Sequence, residues 1–372
     1  MGYSHFPSET IMAGSALTNT NSMLPHCVNS GSWVAAWTLN RLRELPTTTR
    51  FRLPICSIHT SVDRILPAEG LCLPPIYTEA LADDPSLRDL MINQILQCFP
   101  VWDAPLENSR RVNVVEIESS AATTASPHPH RIIAFSVDTA VEEHGPHLPL
   151  GTDTIQSYRV LHTLQHERTD ICPVRPLDYG QLTWGLPFGF SIDLTPSLVT
   201  RYVTGYANAL IRFFQPKAVY VVDVHGSITH REAIVEGLRN SQCSQWAFRW
   251  LHEPLAEFAS ARGDQHAGGV ETRLVEHAAE QLIDRDWFPA REEELVAGGM
   301  TLERAVELTP DLQRFRDAVH TEGANGIVGD IRNYHTLNAS DLFERMMSVA
   351  RADIDGLSFG KANSTDAGVS LW

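Results

Sequence analysis

Ala218-Val219-Tyr220-Val221-Val222-Asp223-Val224-His225-Gly226 is the stretch on which the fold turns. Four valines and a tyrosine in its first seven residues favour a strand, and its apolar side chains do not alternate with polar ones. Such a strand is buried on both faces, as in a parallel sheet covered on each side. Upstream, Pro196 to Phe214 carries a long helical pattern, and Ile132 to Val141 is a second apolar run of strand type. Between them, Asp153 to about Glu167 reads as a helix, Cys172 to Leu177 as a strand, and Tyr179 to Phe190 as a glycine-rich loop. Downstream come a helix from about Thr229 to Leu238, a strand around Trp246 to Leu251 and a helix from Val270 to Ile283. The alternation predicts an α/β fold, a parallel sheet with helices on both faces. Ligands of such folds bind at the C-terminal edge of the strands.

The flanks are less regular. Residues 1–30 are rich in Ser, Thr, Asn and Gly and read as a loose arm. From Trp33 to about Pro105 the text is mixed, with one helical stretch at Pro85 to Cys98 marked by Leu87, Leu90, Met91 and Ile95. Ser119 to His130 reads as a surface loop, and its Pro-His-Pro-His ending is more simply a solvated turn than a metal site. The expected division is an N-terminal extension, partly irregular, over 1–80, the main α/β domain over 81–360 and a tail over 361–372.

Composition narrows the function. Of 372 residues, 43% are hydrophobic and 20% charged, ordinary for a globular chain. A formal charge of −16 opposes binding to nucleic acid and to anionic membranes. The six cysteines show no paired spacing and are expected as reduced thiols. The first basic side chain is Arg41, Phe6 stands where a myristoylation signal needs Ser or Thr, and no apolar run approaches the ~20 residues of a membrane span. The expectation is a soluble, cytoplasmic protein.

Three loops that follow strands carry the chemistry. The first, Glu142-Glu143-His144-Gly145-Pro146-His147-Leu148-Pro149-Leu150-Gly151-Thr152-Asp153, sets two carboxylates and an imidazole at a strand end. Glu142 and His144, two apart, leave an extended chain on the same side. That donor set suits Zn²⁺, Mn²⁺ or Fe²⁺ better than Ca²⁺; the plainer reading makes Asp153 or Thr152 a helix cap and His144 a turn residue. The second is Asp223-Val224-His225-Gly226-Ser227, where His225 can reach over the sheet edge or be an ordinary hydrogen-bonded histidine. The third is Asp264-Gln265-His266-Ala267-Gly268-Gly269-Val270-Glu271. Its His266 and Glu271 suit a His–carboxylate pair or a further ligand, or else a glycine turn and a first-turn acid.

The string EEHGPHLPLGTDT closely resembles the signature of the creatininase (creatinine amidohydrolase) family, and HAGGVETR resembles that family's later His-Ala-Gly…Glu-Thr segment. VDVHG sits where its strand-end His-Gly segment falls, and YGQLTWGLPFGFSIDLT and GANGIVGDIRN are weaker echoes. The resemblance covers about Ile132 to Leu357. It implies a metal-dependent amidohydrolase, often a homo-oligomer, with one or two divalent cations. Glu142 and His225 would bind one cation, His144 the other, and Asp153 would bridge them. His266 would be proton shuttle or base, with Glu271 orienting it or completing a metal site. The chain departs from creatininase at Ser227, where that enzyme has an acidic ligand. The departure argues against creatinine as substrate, and leaves the second cation bound through Glu271, weakly held or absent.

The activity so implied is hydrolysis of a C–N bond in a cyclic amide, formamide or modified peptide by metal-activated water. Trp184, Phe188 and Ser227 are the expected substrate contacts, although Trp184 and Phe188 serve equally well as core aromatics under a loop. The long N-terminal region suggests a specialised role, in secondary metabolism. Two rivals remain: a non-hydrolytic metal-binding regulator or assembly partner, and a metal-dependent lyase or isomerase acting on a hydroxylated ring.

Overall fold

A computed structural model describes residues 33–38, 41–42, 44–45, 49–60, 65, 71–102, 112–117, 131–288, 291–359 and 364–365. In chain order its elements are β1 (Phe51–Cys56), β2 (Leu71–Cys72), β3 (Ile76–Tyr77), α1 (Pro85–Trp102), β4 (Val112–Ile117), β5 (Ile132–Ser136), α2 (Thr152–Glu167), β6 (Ile171–Pro173), α3 (Pro196–Phe214) and β7 (Ala218–Asp223). They continue with α4 (Ile228–Asn240), β8 (Trp246–Trp250), α5 (Ala256–Arg262), α6 (Gly269–Ala279), α7 (Glu292–Ala297), α8 (Leu302–Leu308), α9 (Leu312–Glu322), α10 (Ala339–Ser358) and β9 (Ser364–Thr365). The arm at 1–30 and the loop at Ser119–His130 lie outside the described residues.

The main sheet runs β6-β5-β7-β8-β9, all parallel. Alternate residues of its central strands enter two cores, as strand geometry requires. Ile132, Ala134, Ala218, Tyr220 and Val222 join one apolar cluster with Leu161 of α2, Leu274 of α6 and Met346 of α10. Ile133, Phe135, Val219 and Val221 join the other, with Tyr206 of α3 and Ile234 of α4. Helices therefore cover both faces, and the uninterrupted apolar text of β7 is explained. The path from β5 goes out to β6 and returns past β5 to β7, so the strand order reverses between β5 and β7. A crevice opens at such a reversal, beyond the C-terminal ends of the strands.

The less regular text before β5 conceals a second parallel sheet, with β1, β2 and β3 before residue 105 and β4 after it. Its central strand β1 pairs with β4 along one edge and with β2 and β3 along the other. This layer shares the core on the α3 side: Phe51, Leu53 and Tyr77 belong to the same cluster as Tyr202 and Tyr206. Two buried hydrogen bonds join them, Tyr77 N–H to Tyr202 Oη at 3.0 Å and Tyr179 O–H to the Pro74 carbonyl at 2.6 Å, each worth about 1 kcal/mol net. At the other end of the chain, Asn338 caps α10 by accepting from Ser340 N–H at 3.1 Å. Asp353 of α10 accepts a paired bond from Arg249 of β8 at 2.8 and 2.7 Å, and Ser364 and Thr365 add an edge strand. The described cysteines, Cys56, Cys72, Cys98, Cys172 and Cys243, are free thiols. No helix among the described residues is long and apolar enough to cross a membrane.

Candidate metal centre

The loops after β5 and β7 and the segment leading into α6 meet at the crevice. Gly145, at φ 67°, turns the first loop just past His144. Asp153 falls in the first turn of α2 but caps nothing. Its Oδ1 lies 3.3 Å from His144 Nε2, its Oδ2 lies 3.4 Å from His225 Nδ1, and Thr139 O–H donates to Oδ2 at 2.9 Å. Glu142 Oε2 is 2.9 Å from His225 Nδ1 and also accepts from Thr139. Glu271 Oε2 stands 3.9 Å from His144 Nε2 and accepts from Ala267 N–H at 2.6 Å. Four of these side chains are nearly inaccessible, Glu142 and His144 at 0%, Asp153 at 1% and Glu271 at 8% exposure.

Backbone carbonyls settle which ring nitrogens carry protons, because a carbonyl only accepts. His144 Nδ1–H donates to the Glu142 carbonyl at 3.1 Å, His225 Nε2–H to the Gln181 carbonyl at 3.0 Å, and His266 Nε2–H to the Glu143 carbonyl at 2.8 Å. Each ring thus keeps its other nitrogen for a Lewis acid or a proton, the orienting arrangement usual behind metal-binding imidazoles. His144 Nε2, Asp153 Oδ1 and Glu142 Oε1 are buried without a hydrogen-bond partner. Buried charged atoms rarely stay unpaired. Two triads of ligand atoms, from Glu142, His144 and Asp153 and from His144, His266 and Glu271, each lie within 4.8 Å of one another. The residues present fit a divalent cation, with Asp153 able to face two.

Electrostatics point the same way. Burial works against a charged His144, but Asp153, Glu271 and Glu142 carry it up to about 10. His225 is likewise raised well above its ordinary range, burial being outweighed by Glu142 and Asp153. Burial would raise Asp153, yet His144 and His225 hold it well below the usual carboxylate range. Burial pushes Glu271 up to about 8, and His144 only partly offsets this. The cluster demands positive charge, which two protons or a divalent cation supply. His266 behaves differently: burial and then the charge on His144 depress it to about 4, so its ring is neutral.

The centre forms the wall of a cleft of about 450 Å³. Of the expected substrate contacts, Trp184 and Ser227 line it, with Ser227 Oγ donating to Gln181 Oε1 at 2.8 Å. Phe188 does not line it: at 7% exposure it packs edge-on against Phe315, in a small core with Met300 and Leu308. Of the aromatic residues in the glycine-rich loop, Tyr179, Trp184, Phe188 and Phe190, Trp184 alone lines the cleft. Thr139, Gln181, Arg231, Trp250 and His252 were not singled out by the sequence reading. Thr139 and Gln181 act through a hydroxyl and a backbone carbonyl, which leave no pattern in the text; Arg231, Trp250 and His252 reach the cleft from α4 and from the end of β8.

An α/β protein with a carboxylate–imidazole centre at the strand-order reversal is the class so defined. Residues 130–352, more than half of the chain, match the creatininase family, described as creatinine amidohydrolase. The chain belongs to that family. A mycofactocin precursor peptide peptidase of Mycobacterium ulcerans (strain Agy99) is 25% identical over 216 residues, 56% of this chain and 78% of that protein. Among solved structures, a creatinine amidohydrolase (creatininase) is 17% identical with a TM-score of 0.45, covering 62% of this chain and 91% of that one. A manganese creatininase is 17% identical with a TM-score of 0.44, covering 62% and 92%.

Proposed function

We propose that this chain is a metal-dependent amidohydrolase that cleaves a C–N amide bond in a small metabolite or modified peptide. The observation that carries the reading is Asp153, one oxygen facing His144 and the other facing His225, in a buried cluster where Glu142 Oε1, His144 Nε2 and Asp153 Oδ1 have no hydrogen-bond partner. Glu142, Asp153 and His225 would hold one divalent cation, Zn²⁺, Mn²⁺ or Fe²⁺, and His144 and Glu271 with Asp153 a second. Such cations supply Lewis acidity toward a carbonyl and acidify water to a pKa near ~7. The chain's own residues do the rest. Thr139 and the carbonyls of Glu142 and Gln181 fix the ligand geometry, and Trp184 walls the cleft. His266, neutral and held by the Glu143 carbonyl, has Nδ1 free to accept a proton and deliver it to the leaving nitrogen. The peptidase relative supports an amide substrate, and Ser227 in place of an acid separates this chain from creatinine hydrolysis.

The test is metal content together with product analysis. Purified protein should hold at least about one equivalent of transition metal per chain, and hydrolysis in ¹⁸O-labelled water should place the label in the carboxyl product. A chain that loads no metal supports a non-hydrolytic role. Metal-dependent turnover without incorporation of label supports a lyase or isomerase.

A further inference from the structure

The cleft contains one arginine or lysine among its described lining residues, Arg231 in the first turn of α4, and no carboxylate holds it. Its guanidinium lies over the Trp250 ring, 4.5 Å from the centroid, and its Nε is buried without a hydrogen-bond partner. Asp223, Glu253 and Glu232 lie close enough to feel its charge, but none forms an ion pair with it: Glu253 pairs with Arg249, and Asp223 Oδ2 accepts from Gly226 N–H at 3.1 Å. Trp250 is itself fixed, its Nε1–H donating to the Val224 carbonyl at 3.1 Å and its indole edge lying against Gly226. A side chain at 226 would meet Trp250 Nε1 at 2.6 Å, so glycine there lets the ring sit beside His225. The platform of Trp250 and Arg231 is thus one residue removed from the metal-facing histidine. A stacked guanidinium keeps its planar fork of N–H donors available for a carboxylate. In a cleft that also carries the acids Glu142, Asp153 and Glu271, a cation without an ion-pair partner orients an anionic ligand.

We infer that Arg231, stacked on Trp250, is a specificity-determining anchor for a free carboxylate close to the scissile amide, so that the substrates are N-acyl amino acids or short peptide-like amides with a carboxylate end. The inference rests on the amidohydrolase reading for the word substrate, but its test reads binding. The probes are N-benzoylglycine and N-benzoylglycinamide, which differ only in the charged end, titrated calorimetrically into the metal-loaded full chain. N-benzoylglycine should bind at least about tenfold more tightly, as a charge-assisted bidentate contact implies. Arg231→Met should bring the two affinities together, and Arg231→Lys should restore part of the difference. Asp153→Asn, which empties the centre, separates the two places a carboxylate could bind. A preference that survives Asp153→Asn and vanishes in folded Arg231→Met belongs to Arg231. Equal or undetectable binding of the probes to the unsubstituted protein, or a preference kept in Arg231→Met, overturns the assignment. A chain that shows the preference yet hydrolyses no amide would retain the anchor and lose the proposed reaction.

Discussion

His144, His225 and His266 each give one ring nitrogen to a backbone carbonyl and keep the other for the centre. For the first two, nearby carboxylates make the kept nitrogen a strong base, so at pH 7 a proton sits where a cation would bind. Metal binding must displace it. Zinc titrations in buffers of different ionisation enthalpy should therefore report release of about two protons at pH 7 from His144 and His225, and about one more where Glu271, raised to about 8, also binds, and affinity should fall as the pH is lowered. A proton count near zero would remove these two imidazoles from the ligand set. Asp153→Ala should abolish both metal loading and turnover, whereas His266→Ala should keep the metal and lose roughly two to four orders of magnitude in turnover. Unchanged turnover in the second variant would take His266 out of the mechanism. Glu142, His144 and Asp153 could be read together because the first motif is contiguous and its spacing specific. Thr139 and the carbonyl partners were not, because a backbone oxygen has no letter of its own and its neighbours come from distant turns.

At the scale of elements, α3 was legible end to end. Pro196 starts it, and Leu198, Val199, Tyr202, Val203, Tyr206 and Leu210 repeat at helical spacing on its buried side. β7 was equally plain. The second sheet was not: β2 and β3 have two residues each, and strands that short exist through pairing with β1 rather than through a pattern of their own. Its junction with α3 is close. A Cβ at Gly205 would run into the carbonyl of Ala80, and backbone cannot swing aside as a side-chain tip can. Gly205→Ala should accordingly destabilise the chain by about 1–3 kcal/mol despite the higher helix propensity of alanine. A urea midpoint equal to or above that of the unsubstituted protein would show that the segment before residue 81 rests loosely on α3. The loss is expected to fall on stability, with metal content unchanged.

For the molecule as a whole, burying titratable groups behind the centre makes stability depend on pH in two opposed ways. His230 donates to the Val137 carbonyl at 2.9 Å and accepts from Gln181 N–H at 3.1 Å, so the fold requires its neutral form; burial, then the charge on His225, lower it to about 3. The unfolded chain protonates first on acidification, near 6.5. Stability is thus complete above that pH and is lost progressively as pH falls toward 3. Asp178 works in the other direction. Burial and then repulsion from Asp138 raise it to about 8, so the folded chain keeps its proton while the unfolded chain ionises near ~3.9. Its contribution is fully present at low pH and disappears between about pH 4 and 8. Two isosteric changes separate the effects in urea unfolding series. His230→Gln can keep both hydrogen bonds without titrating and should flatten the decline below pH 6.5, while Asp178→Asn should raise the midpoint at pH 8 more than at pH 5. Parallel curves for Asp178→Asn and the unsubstituted protein would mean that Asp178 is ionised in the folded chain, in which case a cation at the centre, rather than a proton, balances the acids behind it.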